Sequence, residues 1–124
     1  MTVSTETAAR LNAAGFQQPE FAFGQLWETP NGREWAFVGT ARFHLLKQHF
    51  AKEIVFRPTA TDILRELQSH KNYTYSIKIE SGMWLVERTF NSIGEFPTLV
   101  SSHHNEHEAA AMAWLEIHEK TTAE

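Results

Sequence analysis

The chain has 124 residues, 42% of them apolar and 21% charged, the composition of one ordinary globular domain and not of a disordered tract. Its 11 Lys and Arg against 15 Asp and Glu leave a formal charge of −4, which speaks against nucleic acid, a partner that calls for clustered cations. It has no cysteine and no apolar run of about 18 residues, so disulfides, thiol catalysis, thiolate metal sites and a membrane-spanning helix are excluded.

Ser4 to Ala14 reads as a short helix. Ser4 is its N-cap, Leu11 and the alanines give it a small apolar face, and Gly15 stands where a C-terminal glycine belongs. Phe21 to Thr29 and Arg33 to Val38 read as two strands joined by Pro30-Asn31-Gly32. A three-residue loop there pairs Thr29 with Arg33, Trp27 with Trp35 and Gln25 with Phe37. That register puts Trp27, Trp35 and Phe37 on one face, with Phe23 extending it; a two-residue Asn31-Gly32 turn would split the tryptophans across faces. His44 to Phe50 fits a short helix with Leu45, Leu46, His49 and Phe50 to one side, although the flanking Phe37-Val38 and Ile54-Val55-Phe56 would also suit a continuing sheet.

A clearer helix opens at Pro58-Thr59, with Thr59 as cap and Asp62 at the third helical position. Ile63, Leu64 and Leu67 follow at helical spacing, and Ser69 to Asn72 closes it. Next, Tyr73, Tyr75, Ile77 and Ile79 alternate with Thr74, Ser76, Lys78 and Glu80. A two-residue Ser81-Gly82 turn then pairs Ile79 with Trp84, Ile77 with Val86, Tyr75 with Arg88 and Tyr73 with Phe90, all on one face. Arg88 is the exception on that apolar face; it is expected to stack on Tyr75 or to reach the sheet rim. Asn91 to Ser102 reads as a loop. Asn105 caps the last helix, with Glu106 and Glu108 in its first turn and a stripe of Ala110, Ala113, Trp114 and Ile117.

The expected fold is therefore α+β: two β-hairpins forming one mostly antiparallel sheet, with helices 60–70 and 106–119 packed on one face. One domain covers 1–124, with about four residues frayed at each end. Met1 to Thr7 carries no basic region and no long apolar run, so no secretory signal is expected, and a cysteine-free chain fits a reducing cytoplasm.

Three stretches also carry a resemblance: Gly15 to Trp27 (GFQQPEFAFGQLW), Pro58 to Leu67 (PTATDILREL) and Asn105 to Lys120 (NEHEAAAMAWLEIHEK). In that order they resemble a group of small uncharacterised bacterial proteins of phage or prophage type. The resemblance implies a small intracellular accessory protein of a mobile element, with no catalytic residues to carry over.

Few residues suggest chemistry. His103, His104, His107 and Glu108 are of the right types for a divalent transition metal, yet no His-Glu-x-x-His pattern is present and a polar, solvated helix entrance is the favoured reading. His44, His49 and His70 are scattered. No serine sits in a glycine-flanked nucleophile turn, the glycines form no phosphate loop, and Glu80 and Glu87 fit the open side of a strand pair. Trp27, Trp35 and Arg88 are candidates for protein contact, since aromatic residues and arginine dominate interface energetics. The reading that follows is a non-catalytic protein–protein interaction module with no cofactor. A phage-type inhibitor of a host or defence protein, a metal-binding protein or metal-dependent enzyme, and a self-assembling homo-oligomer are the alternatives.

Overall fold

The computed structural model of the protein describes residues 2–29, 32–50, 53–69, 73–90 and 97–122, for residues 90 and 120–122 the backbone only. Two compact units follow one another, Thr2–Pro58 and Thr59–Glu124. The described residues form four helices and two three-stranded antiparallel sheets, an α+β fold.

The first unit begins with α1 (Thr5–Ala13), whose N-cap Ser4 accepts a hydrogen bond from the Thr7 amide as expected. Ahead of it Val3, placed in the frayed end by the sequence reading, is fully buried and its N–H donates to the Pro58 carbonyl at 3.1 Å. The sheet comprises β1 (Leu26–Glu28), β2 (Trp35–Phe37) and β3 (Val55–Arg57) in the order β2-β1-β3. α2 (Ala41–Phe50) lies between β2 and β3 in sequence and buries Phe43 and Leu46. Leu45 and His49, expected on its inner side, are exposed, because the helix starts at Ala41 and Phe43 sets the buried stripe.

The register of β1 and β2 corrects the sequence reading by one residue. Trp27 pairs with Ala36, and Glu28 with Trp35. The Thr29 N–H donates to the Glu34 carbonyl at 2.9 Å, so the connection is longer than Pro30-Asn31-Gly32; Pro30 and Asn31 themselves lie outside the described residues. A one-residue slip moves every side chain to the other face. Trp27 and Trp35 are thus on opposite faces, and the shared aromatic face does not exist. What holds this register is burial on both sides. Trp27 stacks among Phe56 (5.3 Å) and Phe21 (4.9 Å), and its indole N–H donates to Gln25 Oε1. On the other side the Glu28 carboxylate receives the Thr5 hydroxyl at 3.0 Å and faces Arg57 at 3.5 Å. Arg57 also donates twice to the Val3 carbonyl.

The second unit holds α3 (Ala60–Leu67), β4 (Tyr73–Glu80), β5 (Met83–Phe90), β6 (Thr98–His103) and α4 (Glu106–Thr122). The expected capping box is present, with Thr59 and Asp62 reciprocally bonded. The β4–β5 register is the expected one throughout, from Tyr73 opposite Phe90 to Glu80 opposite Met83. Ser81 and Gly82 both take positive φ (52° and 79°), the type I′ turn that matches strand twist. The two hairpins do not share a sheet; the first is completed by β3, in the Ile54-Val55-Phe56 segment that suited a continuing sheet, and the second by β6. The region read as a loop supplies β6, which pairs with β5 from Trp84–His103 to Arg88–Thr98 with a bulge between Val86 and Glu87. The bulge disguised the strand, because one extra residue breaks strict alternation. Residues 91–96 of that expected loop, the close of α3 at 70–72 and the terminal 123–124 lie outside the described residues.

α4 packs on β5 and β6, and α3 packs on α4 and β4. One face of that sheet carries buried Tyr75, Val86 and Ser101. Ser101 donates its hydroxyl to the Ala109 carbonyl at 2.6 Å, and the buried alanines 109–111 and 113 allow that close approach. Thr121 and Thr122, expected to fray, continue α4.

Candidate protein-contact surface

Among the described residues the most exposed aromatic groups lie in the first unit. Phe23 is 89% exposed, Trp35 43% and Phe37 38%, with Phe21 and Leu45 also open. Trp35 and Phe37 project from the same face of edge strand β2, and their rings meet edge-on at 5.9 Å. One edge of the Phe23 ring lies against Gly39: a Cβ there would come within 2.7 Å of the ring, and the φ of +100° suits glycine alone. The Thr40 hydroxyl donates to the Phe37 carbonyl at 2.7 Å and accepts the Phe43 amide, tying the end of β2 to the start of α2.

That joint brings cations over the rings. The Arg42 guanidinium sits 5.4 Å from the Trp35 ring centre, and Lys47 Nζ 4.9 Å from that of Phe21. The α2 sequence, ARFHLLKQHF, contains no carboxylate, and Arg42, His44, Lys47 and His49 are all exposed. The chain as a whole is acidic, yet this helix is a basic edge beside open aromatic rings. Trp, Phe and Arg are the residue types enriched at interface cores.

Of the three residues expected at a protein contact, only Trp35 lies in this surface. Trp27 is 3% exposed and belongs to the core, as its pairing with Ala36 dictates. Arg88, in the second unit, stacks on Tyr73 at 4.8 Å and not on Tyr75. Sequence reading missed Arg42 and Lys47, which stand seven residues from Trp35 and twenty-six from Phe21, the rings they cover; the acid-free run from Ala41 to Phe50 was the available signal.

The four expected metal ligands do not form a centre. His103 Nδ1 accepts the Asn105 amide at 3.0 Å, and His107 Nδ1 accepts the Ala60 amide at 2.8 Å. Both nitrogens therefore serve helix starts, and among the described residues no group of three His, Asp or Glu converges as a metal site requires. His104 is exposed, and Glu108 sits in the first turn of α4 as the helix dipole favours. Burial holds the His107 pKa below its ordinary value, although Glu106, Glu108 and Asp62 pull upward. The acid pair on the open sheet face is bridged by one cation: Lys78 Nζ lies 3.0 Å from Glu87 and 3.3 Å from Glu80, which raises the lysine pKa. Burial raises the Glu28 pKa against the opposing pull of Thr5 and Arg57. Among the described residues no helix is long and apolar enough to cross a membrane. Scans of family models, curated proteins and solved structures find no match to this chain.

Proposed function

We propose that the protein is a non-catalytic protein-interaction module, and that Trp35, Phe37 and Phe23, with Arg42 beside them, form its contact surface. The observation that carries this reading is the Arg42 guanidinium over a half-open Trp35 on an edge strand. An arginine already lying on the ring pre-organises both groups and lowers the entropy lost on binding. The acid-free α2 beside it favours an acidic rim on the partner. In keeping with the phage-type resemblance, the partner would be a bacterial host or defence protein and the chain a cytoplasmic accessory factor.

The test compares the native chain with a Trp35→Ala/Arg42→Ala variant in pull-downs from host lysate, with circular dichroism to confirm that the variant folds. One stoichiometric partner, retained by the native chain and lost by the folded variant, is the expected result. A partner held equally by both, or no partner at all, would overturn the assignment. Binding of a labelled single-stranded oligonucleotide that the variant loses would move the surface to nucleic acid, since open rings flanked by cations also stack bases.

A further inference from the structure

The second unit presents an open sheet edge whose free groups can be identified one by one. β4 is eight residues long and forms one edge of its sheet. In the Ser81-Gly82 turn, the Glu80 carbonyl meets the Met83 N–H. Hydrogen-bonded and non-bonded pairs then alternate along the ladder. Glu80, Lys78, Ser76 and Thr74 direct their backbone groups to β5, and Tyr73, Tyr75, Ile77 and Ile79 direct theirs outward. The Gln68 side chain bears this out: its amide donates to the Tyr75 carbonyl at 3.2 Å, from outside the ladder. Gln68 thereby caps the edge at Tyr75. Beyond it, the outward N–H and C=O groups of Ile77 and Ile79 have no backbone partner among the described residues.

We propose that this edge pairs with the same edge of a second copy of the chain, antiparallel and centred on Lys78, to form a six-stranded sheet. Three observations favour this occupant. Pairing Ile77 of each copy with Ile79 of the other satisfies all four outward groups of both residues and leaves the Gln68 bond intact. Ile79 is 58% exposed, and this register closes a cluster of four isoleucines on the face that also carries Trp84, its cross-strand neighbour. Lys78, the charge that would ordinarily protect such an edge, is drawn back onto Glu87 and Glu80 of its own copy. Across the axis the two lysines face one another, but each is held by two carboxylates and lies diagonal to Glu80 of the other copy. The shared cluster thus sets two ammonium groups among four carboxylates, which offsets the repulsion between the facing lysines.

This surface is independent of the aromatic one, and its test separates the two. Sedimentation of the full chain, from about 1 to 500 µM, is expected to show mass rising from 14.2 kDa toward twice that value. Ile79→Pro removes one outward N–H without removing a β4–β5 bond and is expected to remain monomeric. Should that variant fail to fold, Ile79→Lys places a charge in the seam and serves the same purpose. In the native dimer the Ile77 amide should exchange at least tenfold more slowly than in the monomeric Ile79→Pro variant. Three results would each overturn the proposal: a monomer at the highest concentration, a dimer that persists in the folded variants, or a dimer whose Ile77 and Ile79 amides exchange freely. A monomer that bound an extended peptide along β4 would assign the edge to another protein.

Discussion

His107 joins two helix starts, and its replacement tests whether that joint holds the second unit together. Ala60 is the first residue of α3, and its N–H is one of the amides a helix leaves without an internal partner. The His107 imidazole, in the first turn of α4, accepts it at 2.8 Å. Its side chain is largely buried, so water is a poor substitute. His107→Ala should cost about 1–3 kcal/mol, the penalty for a buried donor left unmade. His107→Asn supplies an oxygen close to the position of Nδ1, and should recover most of that loss. The two variants also differ from the native chain in pH response. An accepting Nδ1 is unprotonated, and burial lowers the folded-state pKa below the unfolded one. The unfolded chain therefore binds the proton more readily than the folded one. The contribution of His107 is fully present above its unfolded pKa of about 6.5 and is lost as pH falls toward the folded value. Protonation also sets a cation against the positive end of α3. Urea unfolding at pH 7.5 and 5.0 measures both effects. The native chain should lose more stability than His107→Asn over that interval. Equal losses in the two, or a His107→Ala variant as stable as His107→Asn, would refute the role assigned to the bond.

Glu28→Gln should leave stability at pH 7 unchanged or raise it by about 1 kcal/mol, measured by urea unfolding, because the amide keeps the Thr5 bond and sheds the desolvation cost of a buried charge. The sign follows from the raised pKa: Glu28 favours the fold below its unfolded pKa, and that contribution is lost as pH rises through the folded value. Thr59→Ala breaks the capping box of α3 and should destabilise by about 1 kcal/mol, with a lower urea midpoint and an unchanged slope. Gly39→Ala must displace the Phe23 ring and strain a positive φ, so it should cost about 1–2 kcal/mol and shift the ring resonances of Phe23 in an NMR spectrum.

Where neighbouring residues along the chain decide the structure, the sequence was sufficient. The Ser4, Thr59 and Asn105 caps act over three residues, and each is found as read. The Ser81-Gly82 turn is similarly local, and with eight alternating residues on either side it leaves one register for β4 and β5. The α+β class followed from these pieces. Tertiary structure decided what depends on distant groups. The register of β1 and β2 is set by a core for Trp27 and by Thr5 and Arg57 around Glu28, residues 23 and 29 positions away from it in sequence. Three-residue strands such as β3 are too short to show a period, and the bulge in β6 interrupts one. The candidate surface belongs to the same category. Trp35 was visible as a residue type, but a one-residue register decides that it faces outward, and only the seating of α2 brings Arg42 onto its ring. Backbone propensity acts over a few residues, whereas burial sums over the whole unit, and where the two compete for a short strand burial prevails.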